Sequence, residues 1–366
     1  MKVSVIRHLA VLLALSAVTS TRAAEMTTQL DTSGTITIHN ASVPLPDALS
    51  EGGQAVLKRS GATEGPGAPM PLPSDITDIK EIRKVYNNNL QPYVDHMKSV
   101  FPVDIEETTI NGISAAIITP KGGVPEKNAN RLILNGPGGG FRTGVRANGL
   151  LISIPVAAQM KVKVISILYR QGPEHRFPAA SEDLLKVWDV VSKEVPPENI
   201  GMVGCSAGGM LVSQTTAMLI EAGRPVPGAL GVYCAGLGMT PSGDSVFTGK
   251  LSITNIEADM KPVTAPAPRG GMSYFDGVDT TKFIAAPLND ATKLAQFPPV
   301  LFFTGTRDFL MSGAAYSHRK LLAAGVESDL LIYDGLYHGF MTNPDFPESQ
   351  EGYGIAADFF DKHLGQ

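Results

Sequence analysis

Ser206 stands in Gly204-Cys205-Ser206-Ala207-Gly208-Gly209, between the apolar run Ile200 to Val203 and the helix-like stretch Met210 to Glu221. A serine on a sharp strand-to-helix turn projects its Oγ beyond the sheet. The backbone closes that tightly only where the residues two positions either side are small, as Gly204 and Gly208 are. The same turn puts the Ala207 N–H in the first turn of a helix, where unpaired donors and the dipole favour a developing negative charge. Gly-x-Ser-x-Gly also arises by chance in glycine-rich loops, so the partners matter. Asp308 directly follows the strand-like Pro298 to Gly305, and His338 follows the strand-like Asp329 to Tyr333. A serine hydroxyl becomes a good nucleophile when a neutral imidazole takes its proton, and a carboxylate on the other ring nitrogen fixes the tautomer. Ser206, His338 and Asp308 are the candidates for these three roles. Asp334, in Asp334-Gly335, is the competing acid, but that pair reads as a plain turn.

Upstream, the apolar Arg131 to Leu134 runs into Asn135-Gly136-Pro137-Gly138-Gly139-Gly140-Phe141. Consecutive glycines let backbone N–H groups converge on one point, which suits the oxyanion of a tetrahedral intermediate. Gly138, Gly139 and Ala207 are the candidate donors. The run lacks the Gly-Lys-Ser/Thr ending of a phosphate loop and the spacing of a dinucleotide fingerprint.

These segments resemble the hormone-sensitive lipase family of α/β-hydrolases, the bacterial esterase branch with a His-Gly-Gly-Gly oxyanion motif. Pro137-Gly138-Gly139-Gly140-Phe141 is similar to His-Gly-Gly-Gly-Phe except at its head. Tyr169-Arg170-Gln171-Gly172-Pro173-Glu174-His175-Arg176-Phe177-Pro178-Ala179-Ala180 resembles Tyr-Arg-Leu-Ala-Pro-Glu-His-x-Phe-Pro-Ala-Ala, a specific match. Gly204 to Gly209 resembles Gly-Asp-Ser-Ala-Gly-Gly, and Asp308 with Tyr337-His338-Gly339-Phe340 matches the acid and the His-Gly-Phe block. The resemblance spans about Arg131 to Phe340. It implies a serine carboxylic-ester hydrolase working through an acyl-enzyme, with no cofactor and a small-molecule acyl ester as substrate.

The chain departs from the pattern at two places. Pro137 replaces the histidine that heads the oxyanion loop; it deletes no expected donor, and its ring restrains the backbone. Asn135 offers a side-chain amide nearby. Cys205 replaces the aspartate beside the nucleophile and is expected to be a buried bystander pointing away from Ser206. Cys205 and Cys234, near the ends of two predicted strands, are expected to be free thiols rather than a bridge. Arg170 and Glu174 are expected in ion pairs. His39, His96, His318 and His363 carry no catalytic motif, and no His or Cys group has metal-ligand spacing.

Lys2 and Arg7 precede the apolar Leu9 to Val18 and the small-residue exit Thr21-Arg22-Ala23-Ala24. Residues 1–23 read as a secretory signal peptide cleaved after Ala23, its core shorter than the roughly 20 residues that span a bilayer. The expected mature protein is exported to a periplasm or the medium without a stable membrane anchor. A formal net charge of -5, without a basic cluster, argues against nucleic-acid binding.

Strands are expected at Ser114–Thr119, Leu132–Asn135, Val162–Tyr169, Ile200–Gly204, Ala229–Cys234, Val300–Gly305 and Ser328–Tyr333. Helices are expected at Ala180–Lys193, Ala207–Glu221, Ala314–Ala324 and Gly354–His363. The alternation predicts an α/β fold, with a mostly parallel sheet covered on both faces and the site at the strand C-terminal ends. The catalytic domain would run over 101–366. Residues 24–100, with a helix-like Asp75 to Lys98, and the insertion at about 239–291 fall outside the rhythm; by the resemblance both form a cap. Phe247, Met260, Met272, Tyr274, Phe275 and Phe283 are candidate pocket residues. The expected activity is hydrolysis of short- to medium-chain acyl esters. Lactone or activated-amide (aryl formamide) hydrolysis by the same triad stays open, as does a non-catalytic binding role prompted by Pro137.

Overall fold

The computed structural model describes residues 27–30, 32, 36–39, 43–60, 77–240, 243–249 and 273–365. The leader and the middle of the insertion, with Met260 and Met272, lie outside these residues. The chain forms two compact units, Met1–Leu45 and Pro46–Gln366. In the first, β1 (Thr27–Leu30) and β2 (Ile36–His39) pair antiparallel.

The second unit is built on eight strands: β3 (Val103–Ile110), β4 (Ile113–Pro120), β5 (Leu132–Gly136), β6 (Lys163–Ile167), β7 (Ile200–Cys205), β8 (Ala229–Tyr233), β9 (Val300–Arg307) and β10 (Ser328–Tyr337). Their order is β10-β9-β8-β7-β5-β6-β4-β3. The β3–β4 and β4–β6 pairings are antiparallel, and the others are parallel. Every residue of β5, β7 and β8 is buried, as expected of central parallel strands covered on both faces.

The helices are α1 (Glu51–Ser60), α2 (Ile79–Val100), α3 (Arg146–Met160), α4 (Ala179–Glu194), α5 (Ala207–Glu221), α6 (Ser245–Thr248), α7 (Ala291–Leu294), α8 (Met311–Ala323) and α9 (Pro347–His363). Asp78 starts α2 by accepting from the Lys80 N–H at 2.8 Å. Helix α5 is buried nearly all round although it carries Ser213, Thr215 and Thr216. Their hydroxyls donate to the carbonyls of Gly209, Leu211 and Val212, one turn back, at 2.8, 2.8 and 2.9 Å, so none of these three is left unpaired.

The predicted alternation is present, with three differences. Strands β1, β2 and β3 and helices α1, α3, α6 and α7 were not expected. Asp334 and Gly335 lie inside β10, where the register against β9 shifts between Tyr333 and Tyr337, rather than in a plain turn. Tyr274 and Phe275 pack behind the glycine loop. Phe141 stacks on Tyr274 at 4.8 Å between ring centroids and meets Phe275 edge-on at 5.0 Å. Phe283 is buried against Phe297.

Candidate active site

Strand β7 ends at Cys205, and α5 begins one residue after Ser206. Ser206 has φ 58 and ψ -124, a left-handed backbone that an ordinary strand-to-helix passage does not need. The motif glycines make the turn possible. A Cβ on Gly208 would stand 1.9 Å from the Gly136 carbonyl oxygen, and one on Gly204 would stand 2.2 Å from the Gly208 backbone. The Ser206 N–H is anchored to the Tyr233 carbonyl of β8 at 2.8 Å.

Asp308 follows β9 and is fully buried. It accepts from the Leu310 N–H at 2.8 Å and from the Thr304 hydroxyl at 2.7 Å, and its Oδ1 meets His338 Nδ1 at 2.7 Å. Burial alone would raise its pKa, but the charge and hydrogen bond of His338, with the Leu310 and Thr304 donors, hold the carboxyl below the usual carboxylate range. Burial alone would lower the pKa of His338, yet the Asp308 charge and hydrogen bond raise it above that of a free imidazole. Phe309 lies over the His338 ring at 4.4 Å, a contact no motif announced. Asp334 instead accepts from the Thr306 hydroxyl at 2.8 Å.

Ser206 and His338 line one cavity of about 140 Å³ together with Gly138 and Gly139. Gly139 has φ +111, and its carbonyl accepts from the Thr143 N–H at 2.8 Å, which curls the loop. The Tyr169 block fastens that loop from behind. The Tyr169 hydroxyl donates to the Pro137 carbonyl at 2.7 Å, the Gly172 N–H to the Phe141 carbonyl at 2.8 Å, and Gln171 exchanges two hydrogen bonds with the Gly144 backbone at 2.9 and 2.8 Å. Ala207 is buried at the first position of α5. Asn135 does not reach the loop. Its Nδ2 donates to the Gly149 carbonyl, Ser153 Oγ and Ser166 Oγ, tying β5 to α3 and β6.

Arg170 and Glu174 are both ion-paired, but to other residues. Arg170 holds buried Asp183 and also Glu182, whereas Glu174 is held by Arg83 of α2. Arg83 also donates to the carbonyls of Arg142 and Gly172 at 2.8 Å, bridging the glycine loop and the Tyr169 block. Its partners lie dozens of residues away, so local spacing carries no sign of it.

Cys205 and Cys234 are free and buried. The Cys234 thiol donates to Met341 Sδ at 3.6 Å, and Cys234 Sγ accepts from the Gly339 N–H at 3.1 Å, so it also steadies the turn after His338. The fold gathers ligand-type atoms of Cys234, Asp308 and His338 within 4.8 Å, a grouping invisible in the spacing. His96 meets Asp345 at 2.7 Å, His318 meets Ser328 at 2.9 Å, and His363 lies 3.5 Å from Glu327. No described helix is long and apolar enough to cross a membrane.

The arrangement finds close parallels among known proteins. A family model for the α/β-hydrolase fold matches residues 136–342. An acetyl-hydrolase of Streptomyces hygroscopicus is 25% identical over 244 residues, covering 66% of this chain and 79% of its own. The crystal structure of an esterase, E25, superposes with a TM-score of 0.73 at 26% identity, covering 88% of this chain and 97% of that one. An esterase from the bacterial hormone-sensitive lipase family superposes with a TM-score of 0.67 at 22% identity, covering 88% and 100%. The sheet order, the serine turn and this match together place the chain in the α/β-hydrolase family, where it resembles the esterases of the bacterial hormone-sensitive lipase type.

Proposed function

We propose that this carboxylic ester hydrolase cleaves short acyl esters through Ser206, His338 and Asp308 and an acyl-enzyme intermediate. The observation that carries the reading is the 2.7 Å bond from Asp308 to His338 Nδ1, with His338 and Ser206 facing the same cavity. With Nδ1 committed to Asp308, Nε2 is the nitrogen left to take the serine proton. Ser206 Oγ attacks the acyl carbonyl while His338 accepts its proton. The N–H groups of Gly138, Gly139 and Ala207 receive the oxyanion, a contribution of about 3 kcal/mol per donor. His338 then protonates the departing alcohol, and water repeats the sequence to free the acid.

The size of the cavity favours short acyl groups: about 140 Å³ is small beside the roughly 300–1,000 Å³ of pockets for drug-sized ligands. The reading extends to export, supported by the charged and apolar pattern of residues 1–23. Hydrolysis of p-nitrophenyl esters from acetate to laurate, by the chain from Ala24 and by Ser206→Ala, tests the proposal. The expected outcome is activity highest on the shortest chains and abolished in the variant. Absence of turnover on every ester, with no labelling of Ser206 by a fluorophosphonate, would overturn it.

A further inference from the structure

Tyr86, on α2, lines the cavity that holds Ser206, beside Asn148, Leu151 and Ile152 of α3. Asn148 is oriented by its surroundings. Its Oδ1 accepts from the Val145 N–H at 3.2 Å at the start of α3, which fixes the amide in the same cavity wall as Tyr86. The phenol of Tyr86 therefore stands in the wall of the cavity with an O–H to offer to what fills it. Leu151 and Ile152 supply the apolar part of the same wall. The cavity thus combines an apolar wall with the phenol of Tyr86 and the polar side chains of Asn148 and Thr342, in addition to Ser206, His338 and the glycine loop.

We propose that Tyr86 selects esters whose short acyl group carries a hydrogen-bond acceptor, such as an alkoxy or oxo oxygen, and that its phenol donates to that acceptor. The inference rests on the esterase reading and sharpens its substrate class. A plain hydrocarbon acyl group would cover the O–H without pairing it, and a site built to hydrogen-bond a substrate group discriminates against the analogue that lacks it. Burial raises the Tyr86 pKa above that of a free phenol, so the group remains a donor across the range in which a serine hydrolase works.

p-Nitrophenyl methoxyacetate and p-nitrophenyl butanoate differ by one oxygen in place of one methylene, which makes them a suitable pair. Their kcat/KM ratio is measured for the wild type and for Tyr86→Phe, with active sites counted by fluorophosphonate titration so that misfolded protein does not enter the rates. The greater intrinsic reactivity of the alkoxy ester is common to both proteins and cancels. The expected result is a ratio about tenfold lower in Tyr86→Phe, from a loss on the methoxyacetate with the butanoate rate retained. Equal ratios in the two proteins, with both esters hydrolysed, would overturn the role of Tyr86 while leaving the esterase intact. Failure of the wild type to hydrolyse either ester would instead overturn the esterase reading, and the proposal with it.

Discussion

The Tyr169 hydroxyl donates to the Pro137 carbonyl oxygen at 2.7 Å, both groups being buried. The bond acts on a backbone atom that any residue at position 137 would present. A proline there thus forgoes a side-chain brace without freeing the loop, which is held at Pro137, Phe141 and Gly144 by one block of sequence. Tyr169→Phe leaves a buried carbonyl unpaired, at about 1–3 kcal/mol. We expect a folded protein with kcat lowered about tenfold and KM changed much less, read from steady-state kinetics beside a thermal melt. An unchanged kcat would show that the hydroxyl does not set the geometry of the loop.

On the proposed mechanism the His338–Asp308 pair sets the pH behaviour. His338 must be neutral to act as a base, and its pKa in the folded protein lies above the ordinary 6.5. The acid limb of kcat/KM is therefore expected above 6.5, and Asp308→Asn should move it down while lowering kcat by about 10⁴-fold. For stability the signs are opposite for the two partners. The raised pKa of His338 contributes stability that is fully present below the unfolded value and is lost as pH rises through the folded one. The lowered pKa of Asp308 contributes stability present above its unfolded value and lost as pH falls through the folded one. Rate profiles and pH-dependent melts on both proteins check these directions.

Gly208→Ala would force a Cβ to within 1.9 Å of the Gly136 carbonyl oxygen, a backbone atom that cannot swing aside. Overpacking of this kind costs roughly 1–3 kcal/mol or more. We expect a lower melting temperature and no detectable ester turnover, because relief of the clash has to move either the serine turn or the glycine loop. Full activity in a well-folded variant would contradict the packing described.

Asp183, 1% exposed, is held by Arg170 and by Lys186. Burial works against its charge, but the Arg170 and Lys186 contacts outweigh it and keep its pKa below the usual range. Arg170→Leu removes the main partner and should destabilise by about 2 kcal/mol, less than for a fully enclosed pair because Arg170 is itself 36% exposed. The loss should be largest near neutral pH and shrink as acid protonates Asp183. Urea titrations at two pH values measure it.

The parts of this molecule that could be read from its sequence share a local signal. Strands such as Ile200–Cys205 are continuous apolar runs, and Ser206, Asp308 and His338 each follow such a run within a few residues. Helix α3 had no comparable signal. It is buried on nearly every face, so its apolar residues show no helical period, and it carries Gly149 and Pro155 in its interior. Strand β3 mixes Asp104, Glu106 and Glu107 with isoleucines, too polar to stand out as a sheet strand. Arg83 bonds to groups far along the chain and Tyr86 shares a cavity with residues far along it, so only the fold reveals them. Of the candidate cap residues, Tyr274 and Phe275 are buried or half-buried behind the loop, as aromatic side chains that pack an insertion down would be.

Strand β3 closes one end of the sheet, and among the described residues one side of its backbone has no neighbouring strand. An open edge is a template on which another chain can continue the sheet, and acidic side chains along it oppose that. Asp104, Glu106 and Glu107 are all exposed there. The residues that made this strand hard to recognise therefore also guard it: a second copy approaching edge to edge would have to desolvate Glu106 and the exposed ion pairs Asp104–Lys121 and Glu107–Arg146, a cost that opposes growth of the sheet into an aggregate.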